Sequence, residues 1–129
     1  MARARPNVVG CFVLVASVRA SLRLLGFRRT VRLAKLAAGR GARRPAGTPT
    51  DCARAIATAA AFFPGRAVCL EQSLALYVVL RRRGHSGVLR LGVQPYPFLA
   101  HAWVELDGTP LFENQDALSK FIPFPEAFA

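Results

Sequence analysis

"FLAHAWVELDGTPLFEN", residues 98–114, is the stretch on which the fold turns. Residues along a strand alternate between its two faces, so Ala102, Val104 and Leu106 share one and His101, Trp103 and Glu105 the other. The first set is apolar and reads as core. The second holds one of the chain's two His and its only Trp. Asp107-Gly108 is a hairpin signal, because both residues tolerate the left-handed backbone that a tight turn requires. Just upstream, "VLRLGV" (88–93) reads as another strand, separated from the hairpin by the turn-rich "QPYP". The tail "IPFPEAFA" (122–129) carries too much Pro for regular structure.

Before these strands the periodicity is helical. "RAVCLEQSLALYVVLRRRG" (66–84) is the strongest case: Leu70, Leu74, Tyr77 and Val78 form an apolar stripe with Leu76 and Leu80 nearby. Arg81 to Arg83 suit the negative end of the helix dipole, and Gly84 suits the terminating position. Thr50 or Asp51 can cap a helix through "CARAIATAAAFF" that stops before Pro64. Two further helices span about Val8 to Leu25 and Phe27 to Ala38, broken near Gly26, with Leu22, Leu25, Leu33 and Leu36 at helical spacings among Arg23, Arg28, Arg29, Arg32 and Lys35. Helices first and an antiparallel sheet last make an α+β fold. The length of 129 residues suits one core. "GRGARRPAGTPT" (39–50) is the one plausible boundary, dividing basic amphipathic helices (1–44) from the remainder (45–129).

Of 18 Lys and Arg, 11 fall in residues 1–50, whereas all seven acids lie from Asp51 onward, so the net charge of +11 belongs to the N-terminal segment. That segment suits an anionic partner, or else forms a solvated basic face. Cys11, Cys52 and Cys69 make no paired framework and no metal-ligand spacing, which points to a reducing cytoplasm and away from a zinc site. The apolar run Val8 to Val18 is too short to cross a bilayer. With Arg3 and Arg5 ahead of it, it has the look of a signal peptide, but more basic amphipathic helix follows where a cleavage site belongs.

Cys69 stands out by position. It falls in the first turn of the strong helix, where free N–H groups and the helix dipole stabilise a thiolate, whereas Cys11 and Cys52 read as small core residues. A nucleophilic Cys needs an imidazole and a group to orient it. His85 lies sixteen residues on, ~24 Å along a helix at ~1.5 Å per residue, and is out of reach. His101 is the candidate base. If Asp107-Gly108 is a two-residue loop, Leu106 pairs with Thr109 and His101 faces Asn114. If Gly108 is instead a bulge in a three-residue loop, Glu105 pairs with Thr109 and His101 faces Glu113. Either side chain can hold the ring N–H. Glu113 is preferred because a carboxylate also stabilises the imidazolium.

The order "CLEQSLALYVVLRRRG", "VLRLGV", "FLAHAWVELDGTPLFEN" resembles the leader peptidases of lasso-peptide biosynthesis, a branch of the transglutaminase-like cysteine protease superfamily, over about residues 66–114. The basic N-terminus looks like that family's N-terminal helices, more loosely. The resemblance implies a Cys-bearing helix packed on a small antiparallel sheet, with Cys69 as nucleophile and His101 as base. The family's third member is usually an Asp after the turn; here Leu111-Phe112-Glu113 stands in that place, and the longer acid would have to retract. The implied activity is removal of the leader from a ribosomally made precursor peptide in the cytoplasm, without a cofactor or metal. Implied partners are a separate PqqD-like leader-binding protein and an asparagine-synthetase-like cyclase, and nucleic acid is not expected.

On the peptidase reading, the Cys69 N–H would help form the oxyanion hole, with Gln72 as a further donor or simply a solvated helix residue. Ser73 reads as helix packing and Trp103 as a shield beside the imidazole. Two alternatives remain: transglutaminase-type acyl transfer using the same residues, and a non-enzymatic basic module that binds nucleic acid or anionic lipid. Peripheral membrane contact is compatible with either class.

Overall fold

A computed structural model describes residues 7–39, 48–61, 69–94, 99–111 and 121–123, with the side chains of Cys69, Leu99 and Ala100 outside that description. Four helices come first: α1 (Val8–Leu25), α2 (Phe27–Ala38), α3 (Pro49–Ala61) and α4 (Cys69–Arg82). Four strands follow: β1 (Gly87–Gln94), β2 (Leu99–Leu106), β3 (Thr109–Pro110) and β4 (Ile122–Pro123). They form one antiparallel sheet in the order β3-β2-β1-β4. The α+β expectation holds.

Local chemistry explains the helix ends. The Asn7 side chain accepts the Val9 N–H at 2.8 Å and caps α1. Gly26, at φ +88°, is the corner between α1 and α2. There the Thr30 hydroxyl donates to the Gly26 carbonyl at 2.8 Å, so the 2.8 Å contact between Ser21 and Thr30 has Ser21 as donor and ties the helices side by side. The cap of α3 falls two residues before Thr50, the earlier of the two candidates in the sequence. Thr48 is the cap, its hydroxyl accepting the Asp51 N–H at 3.0 Å, and Pro49 takes the first helical position, where a missing N–H costs nothing. α4 closes as Gly84 predicts: Gly84 is at φ +86°, His85 N–H reaches the Leu80 carbonyl at 2.8 Å and Gly84 N–H reaches Arg81 at 3.1 Å.

α4 is the hub. The helices pack on one side of it and the sheet on the other. Leu74, Ala75, Val78 and Leu80 are all but inaccessible, and Leu76 and Tyr77 are buried too. The single stripe read from the sequence is therefore too narrow, since a helix enclosed between two layers is apolar nearly all round. Val15 of α1, Val31 of α2, Cys52, Ile56 and Ala59 of α3, and Leu89, Ala102 and Val104 of the sheet complete one continuous core.

One expectation fails here, that of an irregular tail, and the N-terminal helices add two findings. Leu25, Leu33 and Leu36 are exposed, and α2 turns Thr30, Val31, Ala34 and Ala38 inward instead. Small residues let α2 lie close against α4, which outweighs burying two Leu. The Pro-rich tail does supply a strand: Ile122 and Pro123 pair with Val93 and Gly92. Pro is tolerated there because β4 is an edge strand. Finally, α1 is 18 residues with mean hydropathy 1.9, long and apolar enough to cross a membrane by length and composition, although Val8 to Val18 alone is not. In the fold Cys11, Val15 and Val18 of this helix are buried against its neighbours.

Candidate active site

α4, as described, opens at Cys69, and β2 carries His101. Two contacts fix how these elements run. One turn after Cys69, the buried Ser73 hydroxyl donates to the Ala102 carbonyl at 3.1 Å, the residue next to His101. Near the other end of α4, a methyl group on Gly87 would meet Leu80 Cδ1 at 3.0 Å and Val104 Cγ1 at 3.2 Å. Going along α4 from Ser73 to Leu80 thus follows β2 from Ala102 toward Leu106, which pairs with Gly87. Cys69 lies one turn before Ser73, ~6 Å back along the axis, and so falls at the end of the sheet where β2 begins. His85 follows the opposite end of α4, as its distance along the helix requires.

The faces of β2 are those its alternation predicts. Ala102 and Val104 are buried toward α4, while His101 and Trp103 stand on the other side. The start of α4 and the imidazole therefore share one end of the sheet but not one face.

On its own face His101 is half-buried in an aromatic setting. Its ring stacks on Trp103, with centroids 5.9 Å apart and planes 23° from parallel. Phe121, which leads into β4, closes in at 5.4 Å. Trp103 is 4% exposed, and its indole N–H donates to Glu105 Oε2 at 2.9 Å, which holds the ring plane beside the imidazole. The residue paired with His101 is Gly92. A methyl there would meet Trp103 Cη2 at 2.9 Å and both the Ile122 carbonyl and Phe121 Cβ at 3.2 Å. The bare glycine leaves the room that Trp103 and Phe121 fill. The sequence reading found Trp103 and missed Gly92, Glu105 and Phe121 as its supports.

The helix that begins at Cys69 is braced from α1. Glu71 is 7% exposed, and its Oε2 lies 3.9 Å from Arg19 Nε. Arg19 is an interrupting charge in an apolar helix, and that interruption was the available signal for a buried acid facing it.

The turn after β2 is the two-residue kind. Leu106 pairs with Thr109 and Glu105 with Pro110; Asp107 at φ +53° and Gly108 at φ +81° occupy its two central positions, and Leu111 N–H continues the pairing to the Val104 carbonyl at 3.0 Å. The bulge that would set Glu113 against His101 is not present. An Asp-Gly pair accommodates both left-handed positions, so no third loop residue is needed. Glu113 and Asn114 themselves lie outside the described residues.

Cys11 and Cys52 are buried free thiols, and burial pushes the pKa of each above its ordinary value against a smaller opposing pull from Arg83. They are poor nucleophiles where they sit. A groove of about 290 Å³ lined by Cys11, Leu14, Val79, Arg82 and Arg83 lies by the far end of α4, away from His101.

A family model described as "Transglutaminase-like superfamily" matches residues 12–125, nearly the whole chain. No curated protein and no solved structure matches the chain at a significant level. The chain belongs to the transglutaminase-like superfamily.

Proposed function

We propose that this superfamily member is a cysteine peptidase that removes the leader from a ribosomally made lasso-peptide precursor, with Cys69 as nucleophile and His101 as base. The superfamily generally comprises cysteine proteases and acyltransferases. The observation that carries the reading is the Ser73–Ala102 hydrogen bond, which locks the helix opening at Cys69 to the strand of His101 at one end of the sheet.

In the reaction, His101 takes the Cys69 proton and the thiolate attacks the scissile carbonyl. Backbone N–H groups at the start of α4 receive the developing oxyanion. The imidazolium then protonates the leaving amine, and water attacks the thioester to release the acid and restore the thiol. The Trp103 and Phe121 rings exclude water from one side of the imidazole. The group that orients His101 comes from the segment after β3. Glu113 offers the charge, whereas the two-residue turn, carried along the hairpin, matches position 101 with Asn114. The substrate arrives with a separate PqqD-like protein in the cytoplasm, and an asparagine-synthetase-like cyclase acts on the product.

Because the start of α4 and the imidazole lie on different faces of the sheet, the reading requires the thiol and the imidazole to meet around its end. A short bifunctional alkylator that joins a thiolate to an imidazole tests this directly: mass spectrometry should find Cys69 linked to His101. Cys69→Ala should abolish cleavage of precursor while leaving the circular dichroism spectrum unchanged. Full activity in that variant would refute the reading. Formation of an amide when an amine is supplied, in preference to hydrolysis, would assign the acyl-transfer alternative.

A further inference from the structure

The outward faces of α1 and α2 hold the large apolar side chains that the packed faces lack. In α2, Leu33 and Leu36 are 46% and 72% exposed while Thr30, Ala34 and Ala38 are buried. In α1, Val9, Val13 and Leu24 are 70%, 57% and 82% exposed, and the exposed Ala20 falls on the same stripe. Leu25 is exposed beside the Gly26 corner. Around them stand Arg23, Arg28, Arg29, Arg32 and Lys35, all exposed, and no acid occurs before Asp51. Apolar surface gathered on one side in this way marks an interaction site.

We propose that this face seats the protein on an anionic lipid surface, with the Leu and Val side chains in the headgroup–acyl boundary and the Arg and Lys side chains at the lipid phosphates. Charge and chemistry select the occupant. Nucleic acid supplies negative charge but offers nothing to six exposed Leu and Val side chains. An anionic bilayer presents negative charge outermost and hydrocarbon beneath it, the two properties that this face combines. The hydrogen bond between Ser21 and Thr30 holds α1 beside α2, so the surface exists before the lipid arrives. Arg19 is not part of it, since it turns inward to Glu71. The opposite sides of both helices are buried in the core, so the helices lie on the membrane and do not cross it. The inference stands apart from the peptidase reading.

Flotation of the full chain with lipid vesicles tests it, comparing phosphatidylcholine alone with a mixture containing about one-third phosphatidylglycerol. The protein should float with the anionic vesicles only. The Arg29→Gln, Arg32→Gln, Lys35→Gln variant should bind roughly a hundredfold more weakly, from the usual contribution of each basic residue near an anionic surface. Leu33→Ser with Leu36→Ser should bind at least about tenfold more weakly with every charge retained. Leu24→Ser, at the most exposed position, provides a second apolar variant should that pair alter the melting curve. Absence of flotation overturns the proposal. So does binding indifferent to the Leu substitutions, which is mere adsorption of a basic protein. Resistance to alkaline carbonate extraction would show a spanning helix, and binding to duplex DNA but not to vesicles would assign the face to nucleic acid; either result also overturns it.

Discussion

Replacing Gly92 by Ala puts a methyl group where Trp103, Phe121 and the Ile122 carbonyl already are. The new Cβ would stand 2.9 Å from Trp103 Cη2. Comfortable contact between carbons begins near ~3.5 Å, so the shortfall is at least ~0.6 Å. Trp103 cannot swing clear without breaking its 2.9 Å bond to Glu105, and the Ile122 carbonyl at 3.2 Å is backbone held by pairing to β1. Overpacking of this kind costs about 1–3 kcal/mol. In a domain of this length that lowers Tm by roughly 3–12 °C. Thermal unfolding followed by circular dichroism measures it. A second background separates the clash from any general effect of the added methyl: Trp103→Phe removes Cη2, and there the same Gly92→Ala change should cost at least ~1 kcal/mol less, a coupling within the range for touching residues. Because Trp103 also stacks on His101, turnover should fall with little change in KM. An unchanged Tm, or the same loss in both backgrounds, would refute the account of Gly92 as the space that the aromatic surround fills.

The buried thiols bear on both reactivity and pH. In native protein Cys11 and Cys52 should react with iodoacetamide far more slowly than after unfolding, leaving Cys69 as the thiol modified first; rapid native labelling of either would contradict their burial. Since folding raises their pKa values, the folded state keeps these protons when the unfolded chain gives them up. Their stabilising contribution is full below the ordinary thiol value of 9.0 and is lost as pH rises through the folded values, so the urea midpoint should decline above about pH 9, and less steeply in Cys52→Ala. Thr48→Ala removes the α3 cap and should cost about 1 kcal/mol in chemical denaturation. Glu113→Gln and Asn114→Ala, compared by kcat for leader cleavage, rank the two candidates for orienting His101: the larger loss identifies the residue facing the ring, and a still larger loss for Asp107→Asn would exclude both.

Much of the fold was legible because local signals agreed. The bounds of α1 and α2, the Gly84 stop of α4, β1 and the two faces of β2 all rest on periodicity and on residues suited to particular backbone angles. What escaped depends on contacts between elements distant in sequence. Nothing within α2 says that Thr30 and Ala34 face inward and Leu36 outward; that choice is made by how closely α4 approaches. Likewise Ile122 and Pro123 acquire a partner only because Gly92, thirty positions earlier, offers an edge. The form of the turn was left open for another reason: Asp107-Gly108 suits either loop length, and the observed pairing, with Asp107 at φ +53°, is what fixes the two-residue form. Arg19 with Glu71 was missed because the sequence shows a charge interrupting an apolar run but not what it meets.

Among the described residues β4 is Ile122 and Pro123 and pairs with β1 alone, and Phe121 beside it covers one side of His101. α4 lies at the opposite extreme, enclosed on both sides. In hydrogen-exchange terms, the amides of α4 should open only with global unfolding, while those of β4 open through local fraying. If Cys69 and His101 have the proposed roles, the nucleophile would be anchored in the slowest-exchanging unit and its base screened by a fast-exchanging one. Parting β4 from β1 would take Phe121 off the imidazole, leave Trp103 stacked on it and leave α4 undisturbed.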